Sequence, residues 1–83
     1  MDQKLFDEAV VKSKTLAERP SNEVLLKLYG LFKQVTEGDV QGERPGGFDF
    51  KGAAKYNAWE SYKGKTKDDA ANEYINLVNS LMG

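Results

Sequence analysis

Tyr29, Phe32 and Lys33 in YGLFKQV, together with Lys51, Lys55, Tyr56 and Trp59 in DFKGAAKYNAW, are the residues of this chain best placed to do chemistry. Positions three and four apart share a helix face, so Tyr29, Phe32 and Lys33 point one way, as do Lys51 and Lys55. A cation beside an aromatic ring suits a phosphorylated nucleotide. Each of these side chains also has a plainer reading. Tyr29, and Tyr74 further along, fall on apolar stripes where a tyrosine serves as a core-edge residue. Lys33 and Lys55 read as surface lysines, and Trp59, among inward alanines, reads as core.

Catalysis is poorly supplied. The chain has no histidine and no cysteine, so it lacks a side chain that titrates near neutral pH and the usual serine or cysteine hydrolase constellations. Asp39, Glu43 and Asp49 could approach one another across a loop, but turn formation and helix capping account for them better. No D-x-[DN]-x-[DN]-G calcium loop occurs, and no metal site is expected. Gly42, Gly46 and Gly47 do not form a phosphate loop, since no strand precedes them and Phe48 stands where that motif needs lysine. The reading is a binding protein, not an enzyme.

Composition narrows the ligand class. The 83 residues carry a formal charge of -1, which argues against a general nucleic-acid binder. Charge is uneven, however: five lysines and one acid, Glu60, lie between Lys51 and Lys67, either a solvated basic face or an anion-binding one. A small nucleic-acid module using Tyr56 and Tyr62, and a regulatory bundle that binds another protein, are the alternatives. No apolar run approaches the roughly 20 residues of a membrane span, and the start MDQKLFDEAV lacks a basic-then-apolar leader. The expectation is a cytoplasmic monomer without stable membrane insertion.

Four helical stripes must position these residues. Phe6, Ala9, Val10, Ser13, Leu16 and Ala17 follow a possible Asp2 cap and predict a first helix over 3–18, stopped by Pro20. Ser21 caps a second, with Leu25, Leu28, Tyr29, Phe32 and Val35 as its stripe and Gly38 as its end. Four glycines and a proline between Gly38 and Asp49 make a long, ordered loop. A third helix runs from Phe50 to Tyr62 with Ala54, Ala58 and Trp59 inward, ended by Gly64. Thr66 and Asp69 resemble a capping box opening the fourth, whose stripe is Ala70, Tyr74, Ile75, Val78 and Leu81. Short links at Arg19-Pro20 and Gly64-Lys65 favour antiparallel neighbours. The long middle link allows the second and third helices to run parallel. The fold class is all-α, a four-helix bundle.

These segments, in the frame GD...ERPG...DFKG, resemble the signature of the acyl-CoA-binding proteins, and the resemblance runs from Phe6 to about Leu81. It implies a single acyl-CoA-binding domain over 1–83, an up-down-down-up bundle, and reversible carriage of acyl-CoA esters without any cofactor. Matched to this chain, it assigns Tyr29, Lys33 and Lys55 to the 3′-phosphate and adenine, with Phe32 beside them. Lys14 and Tyr74 become further ligand contacts, and Leu25 and Leu26 border the acyl chain. The chain departs from the family where Phe32 replaces a frequent tyrosine, Tyr56 a frequent tryptophan and Ala53 a frequent lysine.

Overall fold

One polar side chain opens each helix. In the computed structural model, which describes residues 1–82, the carboxylate of Asp2 accepts from the Leu5 amide at 3.2 Å and starts α1 (Gln3–Ser13). The Ser21 hydroxyl accepts from Val24 N and starts α2 (Asn22–Glu37), Asp49 accepts from Gly52 N and starts α3 (Phe50–Glu60), and Thr66 accepts from Asp69 N and starts α4 (Lys67–Leu81). Each such cap stabilises its helix by about 1 kcal/mol by satisfying an amide that has no partner within the helix. The Thr66 cap is one-sided: its hydroxyl accepts from the Asp69 amide, but the shorter aspartate makes no return bond to the Thr66 amide, unlike the glutamate of a full capping box.

The first helix ends at Ser13, well before the expected position 18. Ser13 Oγ donates to the Val10 carbonyl and Thr15 Oγ1 to the Lys12 carbonyl, while the amides of Lys14 and Thr15 turn back to Val11 and Lys12. These tighter i→i−3 bonds replace the α-helical ladder, a competition to which serine and threonine are prone. The link to α2 is accordingly longer than the sequence suggests. The third helix similarly gives way to turns after Glu60, and the chain reverses at Gly64, whose φ of +89° a side chain would resist. At the end of α2, Gly38 takes φ +84° as expected.

α2 packs against both α3 and α4, and α1 packs against α4. Met1 lies by Asp68, the Phe6 and Tyr74 rings meet edge to face at 5.2 Å, and Gln34 at the end of α2 bonds the Lys65 carbonyl. These contacts make α1 and α4 parallel to each other and opposed to α2, while Lys55 beside Tyr29 and Trp59 beside Lys33 make α3 parallel to α2. The topology is the expected up-down-down-up bundle.

The core is shared by three helices: Phe6 and Ala9 of α1, Leu28, Leu31 and Val35 of α2, and Ala70, Ala71, Tyr74 and Val78 of α4. α3 adds no residue to this cluster. It is held instead by close approach and by the loop. A Cβ on Gly30 would lie 2.5 Å from the Ala58 carbonyl oxygen, so the α2–α3 seam is as tight as a bare backbone allows. Trp59 is buried and donates through Nε1 to the Gly38 carbonyl at 2.7 Å. The segment 38–49 is tied down as an ordered loop: Arg44 lies over the Tyr56 ring and bonds Asn57 and Glu60, and the Tyr56 hydroxyl donates to Gly42. Asp39 accepts from Gln34 and from the Gly64 amide. Asp39 and Asp49 thus serve as turn and cap acceptors.

Candidate functional site

α1 and α2 both rest on α4 yet make no close backbone contact with each other among the described residues. The gap between them is a groove of about 440 Å³ with Tyr74 of α4 among its lining residues. Val10, Ser13 and Lys14 form one wall; Leu25, Leu28, Tyr29 and Phe32 form the other. Phe32 stacks on Phe6 with ring centroids 6.1 Å apart, which closes the groove toward the core. The groove is mostly apolar, with the Lys14 ammonium and three hydroxyl-bearing side chains as its polar groups.

Tyr74 is almost fully buried, and its hydroxyl meets Ser13 Oγ at 3.1 Å. Burial pushes its pKa up, and the Ser13 bond partly opposes that shift. The hydroxyl therefore stays a neutral donor, satisfied within the fold but at the edge of the groove. Ser13 is the partner that sequence reasoning left among the stripe residues. A hydroxyl at an otherwise apolar stripe position was the signal that could have found it.

A second groove, about 320 Å³, follows the seam between α2 and α3. Leu25, Leu26, Ala54, Lys51 and Lys55 line it, with Arg19 from the α1–α2 link at its mouth. Leu25 is common to both grooves and forms the ridge between them. Lys55 bridges them in another way, because its ammonium lies 5.4 Å from the centroid of the Tyr29 ring, on the wall of the first groove. Arg19 had no assigned role in the sequence; only the folded link brings its guanidinium to the same seam as two lysines.

Lys33 lies apart from both linings. Its ammonium sits 4.8 Å above the Trp59 ring and pairs with Glu37 one turn along α2, and its side chain is only 23% exposed. The expected picture of an exposed functional lysine therefore needs correction. Because α2 and α3 run parallel, Tyr29 faces Lys55 and, one turn on, Lys33 faces Trp59. The result is a short ladder of cation–ring pairs, each worth about 0.5–2 kcal/mol according to how far it is desolvated. Of the residues singled out from the sequence, the fold brings Lys14, Leu25, Tyr29, Phe32 and Tyr74 to one groove and Leu25, Leu26 and Lys55 to the other.

Among the described residues no ion pair involves Lys14, Arg19, Lys51 or Lys55. One such cation, Lys14, lies in the apolar α1–α2 groove and three, Arg19, Lys51 and Lys55, line the neighbouring α2–α3 seam, so the pair of grooves can attract an anion and hold an aliphatic group beside it. The described residues contain no cluster of acids that could hold a metal ion.

Comparison with known proteins bears on the family and the fold. Residues 3–78 match the family described as acyl CoA binding protein. Acyl-CoA-binding protein homolog 1 of Caenorhabditis elegans is 53% identical over 77 residues, covering 93% of this chain and 90% of that protein. The acyl-CoA-binding protein of Saccharomyces cerevisiae is 45% identical over 82 residues, covering 99% of this chain and 94% of its own length. The crystal structure of acyl-CoA-binding protein 2 from Oryza sativa superposes with a TM-score of 0.92 at 45% identity, over 96% of this chain and 89% of that one. With its sequence, its bundle topology and nearly its whole length in agreement, the chain belongs to the acyl-CoA-binding protein family.

Proposed function

We propose that this protein reversibly binds, buffers and carries medium- to long-chain acyl-CoA esters in the cytoplasm, as a monomer and without altering the thioester. The observation that carries this reading is the meeting of two unlike surfaces at Tyr29: the apolar groove between α1 and α2, and the cation-lined seam between α2 and α3 marked by Lys55. An acyl-CoA ester has the same division, an aliphatic chain joined to a polyanionic nucleotide. Tyr29, Lys33 and Lys55 receive the 3′-phosphate and adenine, with Phe32 beside them. Leu25 and Leu26 border the chain, and Lys14 and the Tyr74 hydroxyl supply further polar contacts.

Magnitudes favour a ligand that uses both halves. A charge-assisted hydrogen bond contributes roughly 1.5–3 kcal/mol, and each methylene removed from water adds up to about 0.8 kcal/mol. Palmitate would lose the first contribution and coenzyme A the second. For Lys33 the phosphate competes with Glu37, so ligand capture exchanges one anion for another.

Calorimetric titration with palmitoyl-CoA, palmitate and coenzyme A tests the proposal. One palmitoyl-CoA should bind per protein, far more tightly than either fragment, with no release of free thiol. Equal affinity for palmitate would remove the nucleotide half of the site. Steady thiol release in proportion to protein would mean an enzyme.

A further inference from the structure

Two of the four phenylalanines play no part in the core or the grooves. Phe48 is 98% exposed and Phe50 77% exposed, and they flank Asp49 at the start of α3. A flexible tail does not account for their position. The Asp49 amide closes a turn onto the Gly46 carbonyl at 3.0 Å, and the Asp49 carboxylate caps α3 through the Gly52 amide. Turn and cap together set both rings outward on a convex tip, where even a Cβ on Gly46 or Gly47 would touch nothing.

Lys51 follows immediately and lines the α2–α3 groove with Arg19 and Lys55. These cations have no carboxylate partner; Asp49 accepts from the Gly52 amide and Glu23 pairs with Lys27, while Glu18 beside Arg19 and Glu43 of the loop make no ion pair among the described residues. Arg44, the other cation of the loop, is committed to Glu60 and Tyr56. We propose that Phe48 and Phe50 dock this protein peripherally on an anionic lipid bilayer, the rings entering the headgroup region and Lys51, Arg19 and Lys55 facing the lipid phosphates.

The shape and charge select this occupant. A projecting pair of rings fits a soft interface that closes around it, and phenylalanine is among the apolar residues that peripheral proteins bury at the headgroup and acyl boundary of a bilayer. A second copy of the chain would bring the same unpaired cations together. Two rings and a few cations make attachment weak and reversible, and no helix of the described residues is long and apolar enough to cross a membrane. The docking goes beyond acyl-CoA carriage and does not depend on it, since it concerns the ligand-free protein.

Flotation of the full, ligand-free chain with vesicles tests it. Vesicles of phosphatidylcholine with 30% phosphatidylserine should retain the protein, pure phosphatidylcholine should retain much less, and raised salt should release it. The F48S/F50S double variant should lose tenfold or more in partition to the anionic vesicles, while its melting temperature and its palmitoyl-CoA affinity in solution stay unchanged. In a Phe48→Trp variant, shallow spin-labelled lipid should quench the new fluorophore and spare the buried Trp59. No wild-type flotation, equal partition of wild type and double variant, or equal partition to neutral and anionic vesicles would overturn the proposal. So would a concentration-dependent dimer in vesicle-free solution that the double substitution abolishes, because the rings would then belong to a protein interface.

Discussion

Replacing Lys33 separates what this lysine does for the fold from what it does for a ligand. Its side chain is 23% exposed, stacks over Trp59 at 4.8 Å and pairs with Glu37. A partly desolvated cation–ring contact contributes about 1 kcal/mol. The i,i+4 pair, in the weaker order with lysine before glutamate, adds about 0.2 kcal/mol and offsets a carboxylate placed unfavourably in the last turn of α2. Lys33→Ala should therefore cost about 1–2 kcal/mol, roughly a 5–15 °C fall in melting temperature for a domain of this size. Lys55→Ala removes only an exposed cation near Tyr29 and should cost well under 1 kcal/mol. Thermal unfolding by circular dichroism reads both. Equal melting of wild type and Lys33→Ala would refute the stacking argument.

The ligand arm uses Lys33→Met, which keeps the aliphatic stem over Trp59 and removes the charge. Loss of a charge-assisted hydrogen bond to phosphate should weaken palmitoyl-CoA binding by about 1.5–3 kcal/mol, roughly tenfold to a hundredfold. The same substitution should cost much less with the palmitoyl ester of 3′-dephospho-coenzyme A, because the cycle isolates the pair formed by this ammonium and that phosphate. Glu37→Gln should act in the opposite direction and tighten binding of the intact ligand, since the competing carboxylate is gone. Equal losses with both ligands would show that Lys33 does not read the 3′-phosphate.

Gly30→Ala should destabilise by about 1–3 kcal/mol despite alanine's better helix propensity, because its Cβ would lie 2.5 Å from a backbone oxygen of α3; denaturant titration checks it. Trp59→Ala should cost about 3–5 kcal/mol through the cavity and the unpaired Gly38 carbonyl, read as a fall in the denaturation midpoint. Asp39 has its pKa lowered, first by the Gly64 amide and then by Gln34. Its contribution is therefore present above the ordinary carboxylate value near 3.8 and is lost as pH falls through its lower folded value. Asp39→Asn should lower the melting temperature at neutral pH and flatten its fall in acid; an unchanged acid limb would remove Asp39 from the account.

Much of this was legible from local rules. Asp2, Ser21, Asp49 and Thr66 each had a side-chain acceptor ahead of an apolar stripe, and each caps a helix. The end of α1 was not legible, because the stripe continues through Leu16 and Ala17 while the termination depends on Ser13 and Thr15 choosing backbone carbonyls over solvent. Lys33 shows a different limit. Its spacing from Tyr29 correctly put both on one side of α2, but periodicity assigns a face without saying what lies across from it.

What lies across from α2 follows from topology. An antiparallel α3 would have opposed Tyr29 and Lys33 to residues in the reverse order and broken the matched pairs of ring and cation. The long loop makes the parallel arrangement possible, and three contacts fix its register: the Trp59 bond to Gly38, the Arg44 bonds to Asn57 and Glu60, and the approach of Ala58 to Gly30. Since α3 adds nothing to the main apolar core, these contacts must hold it where it is. The residues of GD...ERPG...DFKG thus contribute to the candidate site mainly by placing Lys55 against Tyr29, and loosening the loop should shift the α2–α3 groove while leaving the α1–α2–α4 core, and the groove lined by it, in place.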